Sequence, residues 1–385
     1  MNNILTKKQI IRKHTSKHTG KHTSNQAHKQ TRNQPRTQAR NQAQSRSHTH
    51  NKLYIGCHVS IVPSILDGLR HLTRIKGNAG QIFLGSTKTA SLNNKHKFTD
   101  QHYINTIKSY IIQHKIFLSI HSIYLLNFCK AHPLSNMIKY MHDNIQYDLK
   151  YGALIGAKCV VLHLGYKLLL DPSDAIKNFI KNINHIIKHM PDNISLALET
   201  SAGQGSQIGY TLEDLGIIWD GVKHNNKHNK HNKNKLASRR VGICIDTAHI
   251  FTGGYDIKTE DGIKSYMNDF NKLIGWKNII LFHINDSKYD LNTKKDFHTG
   301  IGNGFIFNTK QGINALKYIK TFCIQYNIPM VLETHKTLHN YNDDRDDGDI
   351  RDTGDTGDTS KGIGGVGNIN VNTGFTWEIQ YIKNL

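Results

Sequence analysis

The chain predicts an α/β fold, a closed (β/α)8 TIM barrel, and three observations carry that reading. Eight short apolar runs recur along residues 53–335, amphipathic helical patterns fall between them, and most runs are unbroken stretches rich in Val, Ile and Leu. Unbroken runs suit strands covered on both faces, as in a parallel sheet, and eight strand–helix repeats close such a sheet into a barrel. An open, doubly wound sheet is the alternative. No Gly-x-Gly-x-x-Gly follows the first run, which counts against it.

The predicted strands are Leu53–Ser60, Gln81–Gly85, Ile116–Ser122, Cys159–Gly165, Ser195–Thr200, Val241–His249, Ile279–Asp286 and Pro329–His335. Between the fourth and fifth, Ala175–Met190 sets Ile176, Phe179, Ile180, Ile183, Ile186 and Ile187 on one helical face. Pro172-Ser173 marks that helix start. Met137–Tyr151 and Gln311–Tyr326 read in the same way, and Phe375–Lys383 reads as a final helix.

Of 385 residues, 37% are hydrophobic and 21% charged, so part of the chain lies outside any core. Three polar stretches account for this. Residues 1–52 form a basic, low-complexity tail without Asp or Glu, expected to be disordered. It could tether the chain to nucleic acid, act as a mitochondrial presequence, or be neutral low complexity. The remainder, 53–385, is expected to be the barrel domain. It carries a His-Asn-Lys insertion near residues 223–240 and an Asp/Gly-rich insertion at 342–367, both read as surface loops. The second lacks EF-hand spacing.

The formal charge of +21 favours a polyanionic partner, nucleic acid first. No run of about 18 apolar residues occurs, so no membrane helix is expected. Five scattered cysteines without a Cys-x-x-Cys exclude a disulfide framework and a cysteine zinc finger. They suggest an intracellular, reducing compartment, without choosing among nucleus, cytoplasm, mitochondrion and viral factory. A monomer is expected, because a closed barrel leaves no free sheet edge.

The chemistry lies where the runs end. His121, His163, Glu199, Asp246 with His249, His283 and Glu333 each close an apolar run, and Asp296 and His298 follow the seventh. In a barrel these strand ends build the functional face. A lone histidine at a strand end is more often a satisfied polar residue, but burying such groups unpaired costs several kcal/mol and converging carboxylates repel, and metal ions resolve both problems. Imidazole and carboxylate without thiolate suit zinc, manganese or iron. Nine donors suffice for two or three ions, a set fit for phosphodiester hydrolysis.

These motifs resemble endonuclease IV, the zinc-dependent apurinic/apyrimidinic endonuclease family. IGCHVS, HSIYLLN, LHLGY, LETSAGQGSQIG, VGICIDTAHIFTGGYD, FHINDSK and DFHTGIGNG occur in the family's order, and the final Trp-Glu-Ile fits its ending. The resemblance implies three zinc ions. Glu199, the residue to which a catalytic role falls, would bridge two of them. His121 and His163 would complete the first, Asp246, His283 and Glu333 the second, and His249, Asp296 and His298 would hold the third. It implies a hydroxide between the metals as nucleophile. It further implies cleavage 5′ to an abasic site in double-stranded DNA, giving 3′-hydroxyl and 5′-deoxyribose phosphate ends, and trimming of blocked 3′ ends.

Tyr124 and Leu125 match the family loop that penetrates DNA at the lesion, an aromatic and an apolar wedge. Gly203-Gln204-Gly205-Ser206 suits a tight turn close to substrate, with Gln204 a candidate DNA contact. His58 reads as a supporting residue rather than a ligand, and Asn285 and Asp286 as groups orienting the His283 region. One departure stands out. After the second run the chain reads GSTKTASLNN, with Lys88 the one basic residue of that loop, where the family usually grips DNA with a basic residue and an aromatic. A sugar isomerase or epimerase on the same barrel, a non-catalytic DNA-binding protein and a nuclease for ultraviolet damage are the competing readings.

Overall fold

Eight parallel strands close into a barrel, each followed by helix or loop on its outside. The computed structural model describes residues 52–87, 89, 91–130, 136–223, 240–333 and 374–385. The tail apart from Lys52, Lys88, residues 224–239 and the 342–367 insertion therefore lie outside the described residues.

The elements run β1 (Ile55–His58), α1 (Ile65–Arg74), β2 (Ala79–Ile82), α2 (Gln101–Gln113), β3 (Phe117–His121), α3 (Asn136–Ile155), β4 (Cys159–His163) and α4 (Pro172–His189). They continue with β5 (Ser195–Glu199), α5 (Leu212–Val222), β6 (Val241–Asp246), α6 (Thr247–Thr252), α7 (Glu260–Leu273) and β7 (Ile279–His283). A short antiparallel pair, β8 (Asp286–Ser287) and β9 (His298–Thr299), precedes α8 (Lys310–Tyr326), β10 (Met330–Leu332) and α9 (Phe375–Asn384). Around the barrel the order is β1-β10-β7-β6-β5-β4-β3-β2, so β10 closes the ring against β1. No described helix is long and apolar enough to cross a membrane.

Side chains alternate across each strand with period two. Val160, Leu162, Leu196, Leu198, Ile243 and Ile245 point outward into the large core shared with the helices. Ala79, Phe117, Cys159, Val161, Ala197, Cys244, Leu281 and Val331 fill the barrel interior as a separate inner core. Carrying that alternation on to the carboxyl ends of the strands brings His121, His163, Glu199, Asp246 and His283 to the mouth of the barrel. The strand-end donors thus follow from strand geometry, while His249 comes from α6, Asp296 from the loop before β9 and His298 from the first residue of β9.

The helices start where local chemistry says they should. Asp171 caps α4 by accepting from the Ser173 amide, Pro172 takes the first turn, and Ile176, Phe179, Ile183, Ile186 and Ile187 face the sheet. Two sequence expectations need correction. The second strand is Ala79–Ile82 rather than Gln81–Gly85, because Leu72 packs down onto Gly56, Gly77 and Gly80, a contact only small residues allow. The sixth run ends at Asp246, not His249. The Asp246 carboxylate caps α6 by accepting from the His249 amide at 3.0 Å, so His249 sits one helical turn beyond the strand.

All five cysteines are free and buried.

Candidate metal centre

His121, Glu199, Asp246, His249 and His283 are almost fully buried at the carboxyl end of the barrel. His163, Asp296, His298 and Glu333 are partly open, so the cluster faces solvent on their side.

Their donor atoms converge in groups. His121, His163 and Glu199 present ligand atoms within 4.8 Å of one another. So do Glu199, Asp246, His283 and Glu333, and so do Asp246, His249 and His298. Glu199 is common to the first two: Oε2 lies 3.3 Å from His121 Nε2 and 3.2 Å from His163 Nε2, and Oε1 lies 2.8 Å from His283 Nδ1. Asp296 joins the third through Oδ1, 3.0 Å from His249 Nε2 and 3.3 Å from His298 Nε2. Asp246 faces two groups, with Oδ2 3.8 Å from His283 Nδ1 and 3.6 Å from His298 Nε2, whereas the sequence reading gave it to one.

The donor set fits divalent cations. His249 Nε2 and His298 Nε2 are buried and make no hydrogen bond, although Asp296 Oδ1 is close. Nitrogens so placed are free to ligate a cation. Backbone carbonyls hold the other nitrogen of two rings: His249 Nδ1 donates to the Thr200 carbonyl at 2.7 Å and His121 Nδ1 to the Ser122 carbonyl at 2.7 Å. Such bonds fix the tautomer and leave Nε2 as the donor to a metal. Cys244 Sγ lies near Glu199 and His283, but burial pushes that thiol up to about 12, so it stays neutral.

Charge is shared across the cluster. Burial would raise the Glu199 carboxyl, but His163, His283 and His121 outweigh it and hold it well below the usual range. Burial opposes charge on His283, yet Cys244, Glu333 and Glu199 hold it well above an ordinary histidine. His298 rises to about 9 against burial, chiefly through Asp246 and Asp296. Without metal, protons held on His283 and His298 balance the ionised carboxylates; a cation at the site would take over that role, with the imidazoles neutral as metal ligation requires.

Supporting side chains were only partly legible beforehand. Asn285 Nδ2 donates to Asp246 Oδ2 at 2.6 Å and to Glu333 Oε2 at 3.2 Å, and its Oδ1 accepts from the Glu333 amide. Asp286 accepts from the amides of Ser287, Gly302, Gly304, Ile306 and Phe307, tying down the loop after His298. Gln81 was missed. It is fully buried, with Nε2 donating to Glu333 Oε1 at 2.5 Å and Oε1 accepting from His283 Nε2 at 3.0 Å. A polar residue within an apolar strand run was the available signal. His58 faces Gln81 Nε2 through Nδ1 at 3.3 Å, and its ring packs on Phe83.

Of the predicted DNA contacts, Tyr124, Leu125 and Gln204 border the cluster, and Lys88 lies outside the described residues. Tyr124 and Leu125 are about half exposed, and the Tyr124 ring lies 5.5 Å from that of His163 and 5.3 Å from that of His121. Gly203 and Gly205 take positive φ in their turn, and Gln204 Oε1 accepts from the Asp296 amide at 2.6 Å. Gln204 therefore holds a donor loop in place.

Residues 78–348 match the family described as xylose isomerase-like TIM barrel. An endonuclease 4 of Acanthamoeba polyphaga mimivirus is 30% identical over 285 residues, 73% of this chain and 85% of the relative. An endonuclease 4 of Halothermothrix orenii is 31% identical, spanning 73% of this chain and 93% of the relative. Among solved structures, endonuclease IV from Thermus thermophilus superposes with a TM-score of 0.58 at 19% identity, over 74% of this chain and 93% of that one. A D-tagatose 3-epimerase-like protein reaches 0.51 at 21% identity, over 72% of this chain and 90% of that one, so likeness of fold alone does not choose between them. The two relatives do choose: the chain belongs to the endonuclease IV family of nucleases, built on the xylose isomerase-like TIM barrel that the family model describes.

Proposed function

We propose that this enzyme hydrolyses the phosphodiester bond 5′ to abasic sites in double-stranded DNA, leaving a 3′-hydroxyl and a 5′-deoxyribose phosphate. Trimming of blocked 3′ ends would follow from the same site, and both activities serve base excision repair. The observation that carries the reading is the set of nine donors at one barrel mouth, bordered by the exposed Tyr124–Leu125 pair.

Three zinc ions suit the donors. His121, His163 and Glu199 would hold one, and Glu199, Asp246, His283 and Glu333 a second. His249, Asp296 and His298 would hold the third, with Asp246 in reach. When bound, such ions neutralise a phosphate, acidify water and stabilise a leaving alkoxide.

The protein's own residues supply position. The His121 and His249 rings are oriented by backbone carbonyls, and Asn285 aligns Asp246 with Glu333. The partly open edge at His163, Asp296 and His298 is where a phosphate would enter. Tyr124 and Leu125, beside that edge, would fill the space of the missing base and hold the duplex bent. Lys88 and Gln204 remain candidate DNA contacts. All nine donors come from one chain, which supports action as a monomer.

A duplex carrying one tetrahydrofuran residue tests the reading, because that analogue cannot undergo β-elimination. The expected result is a cut on the 5′ side, lost in Glu199→Ala. Absence of cutting by a zinc-loaded chain would overturn it. Turnover of free sugars instead would favour an epimerase, whose chemistry leaves the His249–Asp296–His298 group without a use.

A further inference from the structure

The loop after β4 carries three consecutive leucines, Leu168, Leu169 and Leu170, at the mouth of the barrel. They are 53%, 102% and 37% exposed, and Leu169 has no shielding from solvent at all. Single exposed apolar residues are ordinary, but three in a row at the tip of one turn are not.

The turn is built, not loose. Leu168 holds φ of +53°, a left-handed conformation that a leucine seldom adopts without support from its surroundings. That support comes from two sides. The Lys167 amide donates to the Ser206 carbonyl at 2.8 Å, the Leu168 amide to Ser206 Oγ at 3.1 Å, and the Leu170 amide back to the Lys167 carbonyl at 2.9 Å. On the other side Asn127 accepts from the Tyr166 amide at 3.1 Å and donates to the Tyr166 carbonyl at 2.9 Å. Gly165, at φ of +85°, lets Asn127 approach: a Cβ there would lie 2.6 Å from Asn127 Oδ1. The leucine turn is therefore stitched to the loop of Tyr124 and Leu125 on one flank. On the other it joins the loop of Gln204, which itself holds Asp296. It extends the same rim, next to the donors.

We propose that the Leu168–Leu170 turn is a second apolar contact to the damaged duplex, seated in the minor groove against bases unstacked beside the lesion. The inference rests on the abasic-site reading above. Continuity with the Tyr124–Leu125 rim selects DNA as the occupant, and so does the basic neighbour Lys167. Leucine is among the side chains that prise base steps apart, and a tip fixed before binding loses little entropy on contact.

Leu169→Ser tests it, since a fully exposed side chain can be removed without touching the fold. Burying one leucine against unstacked bases corresponds to a loss of about tenfold in affinity. The expected result is a rise in KM of that size on the tetrahydrofuran duplex, with kcat, binding of intact duplex and thermal midpoint unchanged. A 2-aminopurine placed beside the lesion, read by rapid mixing before cleavage, should brighten less with the variant than with the wild type. If the wild type cleaves and brightens the probe but Leu169→Ser matches it in both, the inference fails and the abasic-site reading stands. If the wild type does neither, both fail. If Leu169→Ser alters only sedimentation, the turn is a self-association surface and the inference is overturned.

Discussion

Gln81→Leu removes a carboxamide that touches His58, Ser119, His283 and Glu333 at once, in the floor of the donor cluster. Leucine, though one bond shorter, has a similar volume, so the space stays largely filled while the hydrogen bonds go. His283 meets Glu199 and Glu333 through Nδ1 at 2.8 and 3.0 Å, and Nε2 is left to Gln81. Without Gln81, Nε2–H has no acceptor, the ring is free to turn, and Glu333 Oε1 loses its donor. Losing a group that orients a metal ligand typically weakens metal binding about 10- to 100-fold, or roughly 1.4–2.7 kcal/mol. Stranding a buried donor adds about 1–3 kcal/mol against the fold. The assay is zinc release to a chromophoric chelator at graded concentrations, beside urea unfolding of the metal-loaded protein. The variant should surrender one class of zinc at about tenfold lower chelator, with the others unmoved. Gln81→Glu should behave differently, since its carboxylate would confront Glu333. If Gln81→Leu folds normally and releases zinc on the wild-type curve, the amide does not orient His283 and the reasoning is wrong.

Asp148→Asn strands the buried ammonium of Lys95, which now meets both carboxylate oxygens at 2.7 and 2.9 Å, and should cost about 3–5 kcal/mol in urea unfolding. A loss under about 1 kcal/mol would show that water reaches the pair. Burial raises Asp286 to about 6 despite its five amide donors, so the folded chain holds that proton more tightly than the unfolded one. Stability from this group is therefore present below about pH 4 and falls as pH rises to about 6, by about 3 kcal/mol, and the slope should flatten in Asp286→Asn. Equal slopes would remove Asp286 from the account. Stripping metal should lower the thermal midpoint, and zinc at about a thousandfold over its dissociation constant should restore about 4 kcal/mol. Indifference to zinc would contradict the donor geometry.

The barrel and the donors that end its strands were legible because both follow from period-two alternation. A residue that ends an apolar run at an inward step must reach the mouth, and His121, His163, Glu199 and His283 do so. What escaped depends on partners distant in the chain. Gln81 reads as one polar residue in a strand, and its contact to Glu333 spans 252 positions. The Lys95–Asp148 pair spans 53 positions, and nothing near either residue announces it. His249 reads as strand because apolar residues resume at Ala248, Ile250 and Phe251 after Asp246 and Thr247; only the cap made by Asp246 turns the chain into a helix. The second strand starts earlier than its sequence suggests because Ala79 and Gly80 look like a turn until Leu72 is seen resting on Gly80.

The parallel barrel also sorts its connections by end. Segments that follow a helix and precede a strand enter at the amino ends of the strands, where positions serve stability rather than function. The stretch between α5, ending at Val222, and β6, starting at Val241, is of that kind. Segments that follow a strand leave from the mouth, as the chain does after Glu333. The His-Asn-Lys stretch is thus a ready port for a fluorophore, an affinity handle or an immobilising tether. Its described flanks, Val222 and Val241, lie at the pole opposite the metal cluster, so cargo grafted between them is anchored away from the mouth that DNA would approach.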